Sequence, residues 1–139
     1  MDDMHIGGLI IPPALIALIR AGKWVPPVRE QLYLEVFGEV PEMPYFYNES
    51  DLLRQNESWQ RMNIQDVFGE VVAGESLGVS PRQSVVIADL GPDMPVILDY
   101  RETRKNPRVL YLKFSESPKW VQVAADIQDL IGNLYGAAE

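Results

Sequence analysis

The stretch "VVIADLGPDMPVILDYR", residues 85–101, carries three aspartates, Asp89, Asp93 and Asp99, inside an otherwise apolar run. Closely spaced carboxylates can hold a cation, work as an acid–base pair, or cap turns. The spacing D-L-G-P-D does not match the D-x-D-x-D-G of a calcium loop, and no bidentate glutamate follows at the required distance. Asp89 and Asp93 flank a Gly-Pro-Asp turn, where aspartate serves by accepting from nearby backbone amides. Asp99 stands between Leu98 and Tyr100 in an expected strand and so points to the face opposite both. The expectation there is a solvent-facing or arginine-paired side chain ahead of a catalytic carboxylate.

Other chemistries lose their components. The chain has no cysteine and one histidine, His5, in an N-terminus expected to be mobile. Thiolate and multi-histidine zinc sites, and Ser-His or Cys-His nucleophile systems, thereby lose components they need. Neither G-x-G-x-x-G nor G-x-x-x-x-G-K-[ST] occurs, so a glycine-rich phosphate cradle is not indicated. Carboxylate-only catalysis remains open, with no pair singled out; no catalytic residue, metal ligand or cofactor is assigned. Arg101, Arg104, Lys105 and Arg108 form a basic cluster that could touch phosphate, although a charged hairpin tip diluted by Glu102 is more often solvated. Of Trp24, Trp59 and Trp120, the last two are expected in the core, while any of the three could anchor an interface.

The charge distribution is more informative. Within a net charge of −8, residues 30–57 hold Glu30, Glu35, Glu39, Glu42, Glu49, Asp51 and Glu57 against Arg54 alone. Such a field repels nucleic acid and anionic membrane and attracts a basic protein. Glu35, Glu39, Glu42, Glu49 and Asp51 are the expected partner-binding residues, with a solvated acidic surface as the plainer explanation.

These side chains need elements to position them. At 139 residues, with 47% hydrophobic and 23% charged residues, the chain suits one domain spanning 1–139. Residues 12–22 begin with Pro-Pro and end with Arg-Ala-Gly, as a short buried helix does. Residues 23–27 read as a connector because of Pro26-Pro27, and residues 45–47 as a short strand. Asn48 to Asp51 supply capping groups before Leu52, Leu53, Asn56 and Trp59, whose spacing is that of an amphipathic helix. Residues 64–80 fit neither period and are expected to be irregular. Strands are expected at 85–90, 96–100 and 108–114, forming an antiparallel meander, with another at 120–124. Asp126 caps a last helix bearing Ile127, Leu130, Ile131 and Leu134 on one face and closing at Gly136. The acidic start "MDDMH" lacks a signal peptide's positive region, and the apolar run 9–19, broken by Pro12-Pro13, is too short to cross a bilayer. A cytoplasmic location is expected, with oligomeric state open.

Read in this order, "IADLGPDMPVILDYR", "PRVLYLKF", Trp120 and "VAADIQDLIGNLYG" resemble the C-terminal core of the SUKH superfamily, which includes fungal cell-wall assembly regulators and bacterial immunity proteins. The opening "IPPALIALIRAGKW" is similar to that family's first helix, and "YFYNESDLLRQNESW" to its strand and second helix with a trailing Asn and Trp. The chain departs from the pattern in having Ala21-Gly22 where Asn-Gly is usual, and in the glycine-rich stretch 64–80. The resemblance implies an α+β fold, a twisted and mainly antiparallel sheet with flanking helices. It also implies protein binding, as an immunity protein against a toxin or as an interaction scaffold; an enzyme with unrecognised carboxylate chemistry is the third possibility.

Overall fold

The structure is a computed structural model and describes residues 4–61, 70–71, 79–91, 94–114 and 118–136. The fold is α+β. The strands are β1 (His5–Ile6), β2 (Leu9–Ile10), β3 (Tyr45–Phe46), β4 (Glu70–Val71), β5 (Ser84–Asp89), β6 (Pro95–Asp99), β7 (Arg108–Phe114) and β8 (Pro118–Ala124). The helices are α1 (Pro13–Arg20), α2 (Glu30–Phe37), α3 (Glu49–Trp59) and α4 (Ile127–Tyr135). The main sheet has the order β3-β5-β6-β7-β8-β4, antiparallel except where β4 lies parallel on β8. The meander of β5, β6 and β7 and the added strand β8 lie where the sequence puts them.

Register explains why these strands are apolar throughout rather than alternating. Val86, Ile97 and Leu110 are cross-strand partners and share one face, as do Leu112 and Trp120; Val85, Leu98 and Val109 share the other. All eight are buried, so the central sheet is covered on both sides. Phe37 of α2 packs edge-on against Tyr111 with ring centroids 5.2 Å apart, and α4 packs on β7 and β8. On the opposite face Trp59 of α3 meets Trp120, centroids 6.3 Å apart.

Three local features control the helices. Asn48 caps α3 by accepting the Asp51 N–H at 2.8 Å, and Asp126 caps α4 by accepting the Asp129 N–H at 2.8 Å. Helix α2, which the sequence reading did not separate from its surroundings, has no side-chain cap at Arg29 and ends on Gly38 at φ 82°. The position of a Cβ there is 2.8 Å from Lys113 Nζ, the movable end of a flexible side chain, so the positive φ is what favours glycine. The same approach places a lysine at the negative end of α2.

The N-terminus corrects the expectation of a mobile segment. Gly7 and Gly8, at φ 59° and 83°, make the turn of the β1–β2 hairpin. The hairpin is fixed to the body by the Tyr100 hydroxyl, which donates to the Ile10 carbonyl at 2.7 Å, and by Met4, Ile6 and Leu9 in the core. Most of the stretch 64–80 lies outside the described residues.

Candidate functional site

The three aspartates do not form a site. In the β5–β6 register Asp89 is opposite Pro95 and Asp99 is opposite Ser84, so they occupy opposite ends of the strand pair. Asp93 lies outside the described residues. Asp89 accepts from the backbone N–H of Gly91 and Met94, both at 3.3 Å, as a turn aspartate should. Asp99 is arginine-paired, but it is not solvent-facing, and that half of the expectation is corrected. Its side chain is 0% exposed because β6 is an inner strand with both faces covered. Its oxygens accept from Arg101 Nε at 2.9 Å and Arg108 Nε at 2.8 Å. Burial pushes the Asp99 carboxyl up, but hydrogen bonds and charge from the two arginines outweigh it and hold the group below the ordinary carboxylate range.

This ion cluster also dissolves the expected basic patch. Arg101 and Arg108 serve Asp99, leaving Arg104 and Lys105 exposed on the loop after β6. Two shallow clefts border that loop, one of about 230 Å³ with His5 and Arg104 and one of about 130 Å³ with Lys105. Both are smaller than the roughly 300 Å³ at which small-molecule pockets begin. Trp24, like Trp120, is core: its indole N–H donates to the Ile87 carbonyl at 3.3 Å, and its ring lies 4.5 Å from that of Phe46.

The acidic segment remains, and the structure sorts its carboxylates by what they do. Asp51, one of the expected partner-binding residues, is held inside the fold. It is 5% exposed, and its oxygens accept from the Tyr45 hydroxyl and the Arg54 guanidinium, tying β3 to the first turn of α3. The Tyr45–Asp51 hydrogen bond, with smaller help from local desolvation and the charge of Asp51, raises the Tyr45 pKa although the ring is half exposed. Glu39 is half-buried and accepts from the Tyr111 hydroxyl on β7. Burial first, then this contact, pushes the Tyr111 hydroxyl far above its ordinary value. Glu49 pairs with Arg20 of α1 at 3.3 Å, with both side chains nearly half exposed. Glu57 pairs with Arg61 at 3.2 Å.

Glu30, Glu35 and Glu42 are exposed, and Glu35 is contacted by Gln31 at 3.1 Å. In residues 25–45 the only base is Arg29, against Glu30, Glu35, Glu39 and Glu42. The segment is built as helix, loop and edge strand, with its ends pinned. At the start, the Tyr33 hydroxyl donates to the Pro27 carbonyl, and the Tyr135 hydroxyl donates to the Val25 carbonyl while accepting from the Val25 N–H at 3.2 Å. In the middle, Glu39 is fixed to Tyr111; at the end, Tyr45 is in register with Asp89. Sequence reasoning found the charges but not the tyrosines that anchor two of them, since Tyr111 and Glu39 are 72 residues apart.

Compared with models of known protein families, with curated proteins and with solved structures, the chain finds no match. Among the described residues, no helix is long and apolar enough to cross a membrane.

Proposed function

We propose that the chain is a non-enzymatic protein-binding domain of the cytoplasm, and that its role is that of an immunity protein neutralising a basic toxin domain. One observation carries this reading. The exposed carboxylates of Glu30, Glu35 and Glu42 stand on a pinned segment, and the arginines at positions 20, 54, 61, 101 and 108 are paired with other acids. A net negative field of this kind, only partly offset by Arg29 and Lys113, speeds capture of a positively charged protein and rejects nucleic acid. The resemblance to the SUKH superfamily supports the choice of an immunity role, and its fungal members supply the competing role of a scaffold.

The experiment is co-purification of the tagged protein from its native cell, followed by separate expression of each captured partner. Under the proposal, a captured partner is basic, arrests growth when expressed alone, and is silenced by co-expression of this chain. A harmless partner held by a stable complex contradicts the immunity role in favour of a scaffold. Turnover of that partner by this chain contradicts the non-enzymatic reading.

A further inference from the structure

The acidic segment has a second property that its charges conceal. Among the described residues, eight large hydrophobic side chains are exposed, and six of them, Val25, Val28, Leu34, Val40, Met43 and Tyr45, lie in residues 25–45. Val28 is 94% and Met43 79% exposed. Scattered surface hydrophobics are ordinary, but concentration of most of them in one short segment is the mark of an interaction surface.

These residues follow one another along α2 and β3 and the segments before and between them. On α2, Tyr33 and Phe37 turn inward while Gln31, Leu34 and Glu35, three and four residues apart, turn outward together. From Glu39, in contact with Tyr111 of β7, the chain runs to Tyr45 on β3, carrying exposed Val40, Glu42 and Met43. Pro41 and Pro44 interrupt that stretch and fix two of its φ angles. Those two positions are therefore restricted before binding, which lowers the entropy lost there on association.

We propose that residues 28–45 form a docking strip for a basic amphipathic segment of a protein partner, with apolar residues seated on Leu34, Val40 and Met43 and Lys or Arg facing Glu35 and Glu42. This rests on the protein-binding reading above and divides the labour within it. The carboxylates act over a Debye length of about 8 Å at physiological salt and so govern encounter. The apolar side chains act only in contact and so govern the lifetime of the complex. A second copy of the chain does not suit the strip, because an isologous contact would bring like-charged Glu35 and Glu42 rows together in chains of net charge −8.

The test uses the full chain and three synthetic peptides of about 16 residues, long enough for four helical turns. One has Lys and Leu segregated by helical spacing, one has the same residues scrambled, and one has Glu in place of Lys. The segregated peptide is expected to bind at least about tenfold tighter than the scrambled one, and the Glu peptide not at all. Its footprint by hydrogen exchange should fall on residues 28–45. In stopped flow, Glu35→Gln with Glu42→Gln should slow association several-fold with dissociation unchanged. Leu34→Ser with Met43→Ser should speed dissociation about tenfold with association unchanged.

Equal binding of segregated and scrambled peptides, with no effect of Leu34→Ser and Met43→Ser, overturns the strip but leaves a charge-driven protein-binding function standing. Self-association abolished by Met43→Ser identifies a second copy as the occupant and overturns the proposal. Failure of the co-purified partner to be a protein of any kind removes the function on which both rest.

Discussion

Truncating Asn56 probes how the sheet edge is closed. Strand β3 pairs with Ala88 and Asp89, and the Tyr47 N–H reaches the Ile87 carbonyl, so among the described residues the lower part of β5 has no strand beside it on that edge. There Asn56 of α3 stands in for a strand. Its carbonyl accepts the Val86 N–H at 2.7 Å, and its amide donates to the Val86 carbonyl at 2.8 Å and to the Leu52 carbonyl at 2.8 Å. Asn56 is 0% exposed, so Asn56→Ala strands both polar groups of Val86 in the core. Each stranded group costs about 1–3 kcal/mol, and water entering the vacated space offsets part of that, so a loss of about 3 kcal/mol is expected. With a urea slope near 2 kcal/mol/M, the unfolding midpoint falls by about 1.5 M at unchanged slope. Hydrogen exchange at the Val86 amide should accelerate in parallel. Asn56→Asp, which keeps the acceptor and loses the donor, should be at least as damaging at neutral pH. A loss below about 1 kcal/mol with Val86 still protected would refute the edge-closing role.

Asp99 supplies the next test. Trp120→Ala and Leu130→Ala each remove a buried side chain and should cost about 2–5 kcal/mol; from sequence alone Asp99→Asn is expected to cost much less. The buried pairing with Arg101 and Arg108 revises that to about 3 kcal/mol, measured by urea unfolding. Because the folded Asp99 pKa is depressed, its contribution is complete above the unfolded value near 4 and is lost as pH falls through the folded value; Asp99→Asn should therefore flatten the acid limb of the stability profile below the unfolded value. All six tyrosines, by contrast, have raised pKa values, chiefly through burial except for the Asp51 hydrogen bond at Tyr45. Their contribution is complete below the unfolded value near 10 and is lost as pH rises, so, the exposed Tyr45 aside, tyrosinate absorbance should appear only together with loss of folded structure; noncooperative titration of several tyrosines near pH 10 would contradict the burial. Reversing Glu35 and Glu42 to Lys should leave the urea midpoint unchanged, whereas Glu39→Lys, which breaks the contact with Tyr111, should lower it.

The C-terminal half was legible in the sequence because its signals are local. The β5–β6–β7 meander follows from apolar runs separated by turn residues, and α4 from an aspartate cap, a four-residue repeat and a closing glycine. The N-terminal hairpin left a signal that went unread, since Gly7-Gly8 between two apolar pairs is a turn with positive φ at both residues. Helix α2 was obscured because Arg29 offers no cap and Leu34, at a position that looks like core, is exposed. Gly38 at its end was the usable clue. The candidate site was legible as charge but not as geometry. The pairing of Asp51 with Arg54, three residues on along α3, is local, but nothing near Asp51 says that Tyr45 reaches it, and nothing near Asp99 says that its face of the strand is covered. Which carboxylate is structural and which is free depends on contacts between distant elements.

The central claim is that the field of the acidic strip recruits a basic protein. It is tested most directly by the association rate of the co-purified partner with the wild-type chain and with the Glu35→Lys, Glu42→Lys variant, followed across salt concentration. The variant should associate at least about tenfold more slowly at low salt, with an unchanged urea midpoint. The gap should close towards 1 M salt, where the Debye length is about 3 Å. Equal association rates at low salt, for a folded variant and a verified partner, would contradict the claim.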